Sequence, residues 1–108
     1  MDTELRNKWT AALRSGNYQQ GRLGLHDLDN RYCCLGVLCE VLELESVRRR
    51  GGYVYYDNDQ KWPTTWNVPD PVKHEIGFSA DAEFTLIHLN DVQKLTFEQI
   101  AAYIDTNL

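Results

Sequence analysis

The residues best suited to bind a ligand lie between positions 48 and 66, where cationic and aromatic side chains alternate. Guanidinium groups bind phosphates in bidentate geometry and stack on planar rings, and aromatic faces accept nucleobases. Tyr, Trp and Arg also dominate the binding energy of protein interfaces. The segment is therefore predicted to contact a nucleotide-like small molecule or a protein partner through Arg48, Arg49, Arg50, Tyr53, Tyr55, Lys61, Trp62 and Trp66.

The same residues also fit a segment that contributes only to folding. Aromatic residues are typical of strands, so the tyrosines could pack a small sheet while the arginines lie in a solvated turn. In that arrangement Tyr55 points to the opposite side from Val54 and Tyr56. The sequence leaves both alternatives open.

Three cysteines are clustered at Cys33, Cys34 and Cys39. A secreted disulfide framework has an even number of cysteines spread along the chain, so we expect reduced thiols that pack in a core. The spacing does not match a structural zinc site. A catalytic thiol would need a neighbouring base, for which the chain offers His26, His74 and His88. We assign no catalytic residue, metal or cofactor, and keep a small cysteine- or metal-dependent enzyme as an alternative function.

Two groups of polar residues have the composition of acid–base or cation sites. Asp27 and Asp29 lie beside His26, and Asn90 is followed by Asp91. Because aspartate and asparagine also form turns and helix caps, a turn is predicted for the first pair and a helix end for the second. The sequence contains no phosphate-binding glycine loop and no serine nucleophile elbow.

Composition restricts the class of protein. A length of 108 residues predicts one domain, and 43% hydrophobic with 25% charged residues is typical of a globular chain. The net charge of -5 disfavours general DNA binding. We find neither an apolar run long enough for a membrane helix nor a signal peptide within Met1 to Lys8, so a cytoplasmic protein is expected.

Apolar periodicity predicts four principal helices. The first has Leu5, Trp9 and Leu13 on one face, with Asp2 or Thr3 as its cap. The segment from Cys33 to Leu44 is predicted to form the central core helix, and Asp81 to Asn90 another. The last helix begins at a Thr96 and Gln99 capping box and is expected to dock on the central helix. A short helix from Asp70 to Ile76 should end at Gly77.

Two β-hairpins are predicted between the helices. One lies within Tyr18 to Tyr32, and the other has arms around Tyr53 to Tyr56 and Lys61 to Trp62, with its turn at Asp57 to Gln60. The expected fold is a single compact α+β domain over residues 1–108, mostly helical, with a small antiparallel sheet of two hairpins.

Several motifs carry a resemblance to a known group of proteins. They are Trp9 to Leu13 with Ser15, Gly16, Tyr18, Gln20 and Gly21, the run Tyr32-Cys33-Cys34-Leu35-Gly36-Val37-Leu38-Cys39, and Leu89-Asn90-Asp91 followed by Phe97, Ile100 and Ala101. With them the chain resembles small proteins of tailed bacteriophages and prophages. It departs from their pattern at Val92, Gln93 and Lys94, where a glycine-containing turn is expected.

The resemblance implies a phage setting and no particular activity. Small accessory phage proteins often act on the host, in anti-defence or host takeover. We therefore expect a binding protein in the host cytoplasm that sequesters a nucleotide-like ligand or blocks a host protein, with the cysteine or metal enzyme and a virion structural or assembly role as alternatives.

Overall fold

A computed structural model describes all residues from 1 to 108. The chain forms five helices and four short strands, in the order α1 Thr3–Arg14, β1 Gln19–Gln20, β2 Arg31–Tyr32, α2 Cys34–Val41, β3 Ser46–Arg49, β4 Gly52–Tyr55, α3 Asp70–Ile76, α4 Ala80–Asp91 and α5 Phe97–Asn107. This arrangement confirms the α+β class. None of the helices has both the length and the apolar character needed to cross a membrane.

Helix ends follow local sequence signals. The side chain of Asp2 accepts a hydrogen bond from the Leu5 backbone N–H at 2.7 Å, which caps α1. Thr96 and Gln99 exchange side chain to backbone hydrogen bonds at the start of α5, as the capping box predicts. Helix α3 ends at Gly77, whose φ of 69° is in the left-handed region.

The core is built around α2. Its residues from Cys34 to Cys39 are all buried, and α1 and α4 pack against it. The indole N–H of Trp9 donates to the carbonyl of Cys34 at 2.9 Å, which joins α1 to the start of α2.

The predicted docking of α5 on α2 was wrong, because α5 packs chiefly against α1. Arg14 of α1 is ion paired with both Glu98 and Asp105 of α5. The apolar stripe of α5 is fully buried in this contact, with Ile100 and Ile104 each 0% exposed. A helical period specifies that a stripe is buried but does not identify the surface that covers it.

The first predicted hairpin was also wrong. Strands β1 and β2 pair in parallel, with Gln19 opposite Arg31 and Gln20 opposite Tyr32. The chain reverses twice between them, first through Leu23 and Gly24, which both have positive φ, and again between His26 and Tyr32, which form an antiparallel bridge. Two reversals restore the original direction and so produce a parallel pair.

The second predicted hairpin was wrong in its partner strand, because Gly52–Tyr55 pairs with the preceding segment Ser46–Arg49 and not with Lys61–Trp62. Strands β3 and β4 are antiparallel, with Arg48 opposite Tyr53 and Arg49 opposite Gly52, so the turn is at Arg50 and Gly51. Two of the three arginines therefore lie in a strand. The predicted turn at Asp57–Gln60 follows β4 and brings Thr64 back to bridge Tyr55.

Candidate functional site

The structure distributes the eight predicted binding residues among several environments. Arg49, Tyr53 and Trp66 line one cleft, whereas Trp62 lines a different one. Tyr55 is completely buried and belongs to the core. Arg48, Arg50 and Lys61 are exposed outside both clefts. The segment is therefore not one continuous surface.

The hairpin cleft, as we call it, has a volume of about 250 Å³ and lies between the β3–β4 hairpin and two loops. Arg49 and Tyr53 come from the hairpin, and Trp66 comes from the segment after β4. Leu23 comes from the first loop, which connects β1 to β2. Three glycines, Gly24, Gly51 and Gly52, form much of the remaining wall. Because glycine has no side chain, a ligand can approach the backbone closely there.

Hydrogen bonds between backbones hold these walls together. The N–H of Leu25 donates to the carbonyl of Thr65 at 2.9 Å, which fixes the Trp66 segment beside the Leu23 loop. The N–H of Tyr53 donates to the carbonyl of His26 at 3.0 Å, which fixes the hairpin on the other side. The cleft is therefore largely pre-formed, which reduces the entropy lost on binding.

A stack of three rings lies beneath the cleft. His26 is sandwiched between Tyr32 and Tyr53, with ring centroids 3.9 Å and 3.8 Å away. Both ring nitrogens of His26 have partners: Nδ1 lies 3.1 Å from the hydroxyl of Tyr55, and Nε2 lies 2.7 Å from Asn30 Oδ1. The Tyr55 hydroxyl in turn donates a hydrogen bond to the Glu40 carboxylate at 2.8 Å. These contacts give the floor a single rigid arrangement.

Burial raises the pKa values of two tyrosines in this floor. The pKa of Tyr32 rises to about 12, chiefly through burial and then through the nearby Glu40 carboxylate. Burial also raises the pKa of Tyr55 well above its usual range, and the hydrogen bond to Glu40 raises it further. Both phenols therefore remain neutral at physiological pH and act as packing and hydrogen-bonding groups.

The cations around the hairpin are not neutralised by the protein. Lys8, Arg14, Arg31 and Lys73 each form an ion pair, but no carboxylate lies within 4.0 Å of the cationic group of Arg48, Arg49, Arg50 or Lys61. Asp27 also lines the cleft, but its carboxylate is occupied by Arg31 at 3.0 Å. Arg49 thus brings to the cleft a guanidinium group without an ion-pair partner, which donates a hydrogen bond to the Arg48 carbonyl at 3.4 Å.

Leu23 is a site residue that the sequence analysis missed. Its side chain is 70% exposed, and its φ of 62° is in the left-handed region that disfavours leucine. The sequence did contain a signal for this residue, because Leu23 directly precedes Gly24 in a polar loop. Turn positions usually carry glycine or asparagine, so a leucine there is unusual.

A second cleft of about 430 Å³ lies between Trp62 and Phe84, which are 54% and 73% exposed. It is also lined by the ion pair of partly buried Lys73 with buried Glu83, whose charged groups are 2.7 Å apart. Glu83 also accepts hydrogen bonds from Asn67 and from the Val68 backbone. These polar groups are satisfied internally.

The cysteines are free and buried, as predicted. Burial raises the pKa of Cys33 to about 12 and raises the pKa values of Cys34 and Cys39 well above the ordinary thiol range. The thiols are therefore protonated and poorly nucleophilic. No cluster of three or more His, Cys, Asp and Glu side chains is arranged to hold a metal ion.

Asp27 forms the predicted turn, because it accepts hydrogen bonds from the backbone N–H groups of Asp29 and Arg31. Asn90 does more than the predicted helix end. It is 0% exposed, accepts from Cys34 N–H at 3.3 Å and donates to Gly21 O at 3.0 Å. It therefore links α4, α2 and the first loop.

One domain family matches the chain over its entire length, residues 1–108. The chain belongs to DUF8296, a domain of unknown function. No curated protein and no solved structure matches it.

The hairpin cleft of this DUF8296 chain combines the guanidinium group of Arg49, which has no carboxylate partner, with the indole of Trp66, which is 51% exposed. A guanidinium binds an anion and an indole face binds a planar apolar group. The cleft therefore combines groups that suit a ligand with both an anionic and a planar group.

Proposed function

We propose that this DUF8296 protein is a phage-type accessory binding protein that acts on a host component by sequestering a nucleotide-like ligand in the hairpin cleft. The observation that carries the proposal is the position of Arg49 and Trp66 on one concave surface. A nucleotide combines a phosphate and an aromatic base, which are the groups that these two side chains recognise.

Charge distribution also supports an anionic ligand. The whole chain has a net charge of -5, yet the hairpin carries three arginines without ion-pair partners. Such a local positive field attracts a small anion, while the overall negative charge repels long nucleic acids. The proposal is therefore restricted to small nucleotides.

The buried thiols support binding rather than catalysis. The alternative of a cysteine enzyme needs an exposed thiolate near a base, and all three thiols are buried with raised pKa values. The buried thiols therefore favour sequestration over cysteine catalysis.

A second candidate function is the blocking of a host protein. Trp66 and Leu23 are both large apolar residues that are more than half exposed at the same cleft. Exposed tryptophan beside arginine is also typical of residues that anchor protein interfaces. This candidate predicts retention of a discrete host protein from a bacterial lysate.

The decisive experiment titrates the purified protein with adenosine 5′-monophosphate by calorimetry. Arg49→Glu should weaken binding by at least about tenfold, equivalent to about 1.4 kcal/mol, with no change in the melting temperature. Arg48→Glu is the matched control, because it makes the same charge change on the same strand outside the cleft. It should retain most of the affinity.

Absence of nucleotide binding by the wild-type protein would overturn the proposal, as would equal binding by the Arg49→Glu variant. A host protein that the wild type captures from a lysate and the Arg49→Glu variant does not capture would favour the second candidate instead.

A further inference from the structure

The loop that carries Leu23 has a conformation that its own sequence does not favour. The backbone of Leu23 has a φ of 62°, where the Cβ of an ordinary side chain is crowded and glycine or asparagine is preferred. The Leu23 N–H donates to the carboxylate of Asp91 at 3.2 Å, which helps to hold the residue in this conformation. The strain is therefore imposed by the tertiary structure.

Packing does not compensate for this strain. The side chain of Leu23 is 70% exposed, so it gains little from burial and leaves apolar surface in water. The backbone of Leu23 reverses the chain, but its exposed side chain contributes little to the stability of the fold. Strained residues often occur at ligand-binding sites, and Leu23 is the one non-glycine residue with a left-handed φ that lines the hairpin cleft.

The position of Leu23 suggests what that function is. Leu23 and Trp66 line the same cleft from two different loops, which the hydrogen bond from Leu25 to Thr65 holds together. The leucine side chain and the indole give the cleft two apolar surfaces suited to a flat ring, and Arg49 lines the same cleft with a cationic group suited to an anion.

We infer that Leu23 and Trp66 form an apolar clamp that holds the base of a small nucleotide whose phosphate binds Arg49. The inference rests on the proposed function and adds the residue that makes the site selective for ligands with a planar ring. A phosphate-bearing compound without a base should bind through Arg49 alone, so its affinity should not depend on the residue at position 23.

Two substitutions separate the clamp from the fold. Leu23→Ala removes the contact but keeps a Cβ at the strained position, whereas Leu23→Gly removes both the contact and the strain. Both should weaken binding of adenosine 5′-monophosphate by about tenfold. Leu23→Gly should have a melting temperature no lower than that of the wild type. Leu28→Ala, which changes an exposed leucine outside the cleft, is the matched control and should bind normally.

Ribose 5-phosphate is the second probe, because it has the sugar and the phosphate but no base. Its affinity should be the same for the wild type and both Leu23 variants, and should fall in Arg49→Glu. If Leu23→Ala and Leu23→Gly bind adenosine 5′-monophosphate as tightly as the wild type while Arg49→Glu does not, the clamp is overturned and the proposed function stands. If the wild type binds neither probe, the proposed function fails together with the clamp.

Discussion

The carbonyl oxygen of Leu25 lies directly against the backbone of Gly36, so that a Cβ at position 36 would be only 1.8 Å from it. The same oxygen accepts a hydrogen bond from the Cys33 N–H at 3.2 Å. This contact seats the strand-like segment of Leu25 and His26 on the start of α2. The stacked floor of the hairpin cleft is therefore positioned by a glycine in the core helix.

Gly36→Ala is expected to destabilise the protein by about 3 kcal/mol or more, because the new methyl group would collide with backbone atoms that cannot rotate away. Gly51→Ala is the control, since a Cβ at that position meets nothing within 4 Å. Its effect should be within about 0.5 kcal/mol. Urea unfolding measures both values, and similar stabilities for the two variants would contradict the close contact.

Asn90→Ala should cost about 2 to 4 kcal/mol in the free energy of unfolding. The substitution leaves the buried Cys34 N–H and Gly21 carbonyl without their partners, and unsatisfied buried groups are costly. Asn7→Ala, at an exposed position of α1, is the control and should be nearly neutral. Thermal unfolding of both variants tests the prediction, and a neutral Asn90→Ala would show that the amide is dispensable.

Glu83→Ala should destabilise the protein by about 3 kcal/mol, because it leaves Lys73 partly buried without its closest carboxylate and removes the acceptor of the Val68 N–H. Burial alone would lower the pKa of Lys73, but its hydrogen bonds to Glu83 and Asp70 outweigh burial and raise it. Glu98→Ala removes an exposed partner of Arg14 and should cost at most about 1 kcal/mol. Chemical denaturation should show this difference between the variants.

Asp27 should make stability sensitive to acid. Burial alone would raise its pKa, but hydrogen bonds and charge from Arg31 lower the pKa below its ordinary value. The unfolded chain then binds the proton more readily, so the contribution of Asp27 is present above the unfolded pKa and is lost below about pH 4. Asp27→Asn should show a shallower loss of stability in this range. Identical pH slopes for the variant and the wild type would contradict the linkage.

The three thiols should react with Ellman's reagent only after denaturant is added, since they are buried and protonated. Ser15→Cys places a thiol at an exposed position and provides a positive control that should react at once. Cys39→Ser should destabilise by about 1 to 3 kcal/mol, because it places a hydroxyl in an apolar environment. Rapid labelling of a native thiol would instead favour the cysteine-enzyme alternative.

Local interactions allowed the sequence alone to determine most of the helices. The cap at Asp2, the capping box of Thr96 and Gln99, and the terminal Gly77 each act within a few residues, and the structure contains all three. The Cys33–Leu44 segment was correctly assigned to the core because its apolar residues leave almost no polar face, although α2 itself is shorter, at Cys34–Val41.

Tertiary structure alone decided strand pairing and the composition of the site. The parallel pairing of β1 with β2 depends on a reversal at Leu23, whose left-handed conformation no leucine favours by itself. Because Tyr55, Trp62 and Trp66 are close in sequence, they were predicted to share one binding surface. In the structure Tyr55 is buried in the core and Trp62 lines the second cleft. Which side chains share a surface depends on contacts between residues distant in sequence, and those contacts form only when the whole core packs.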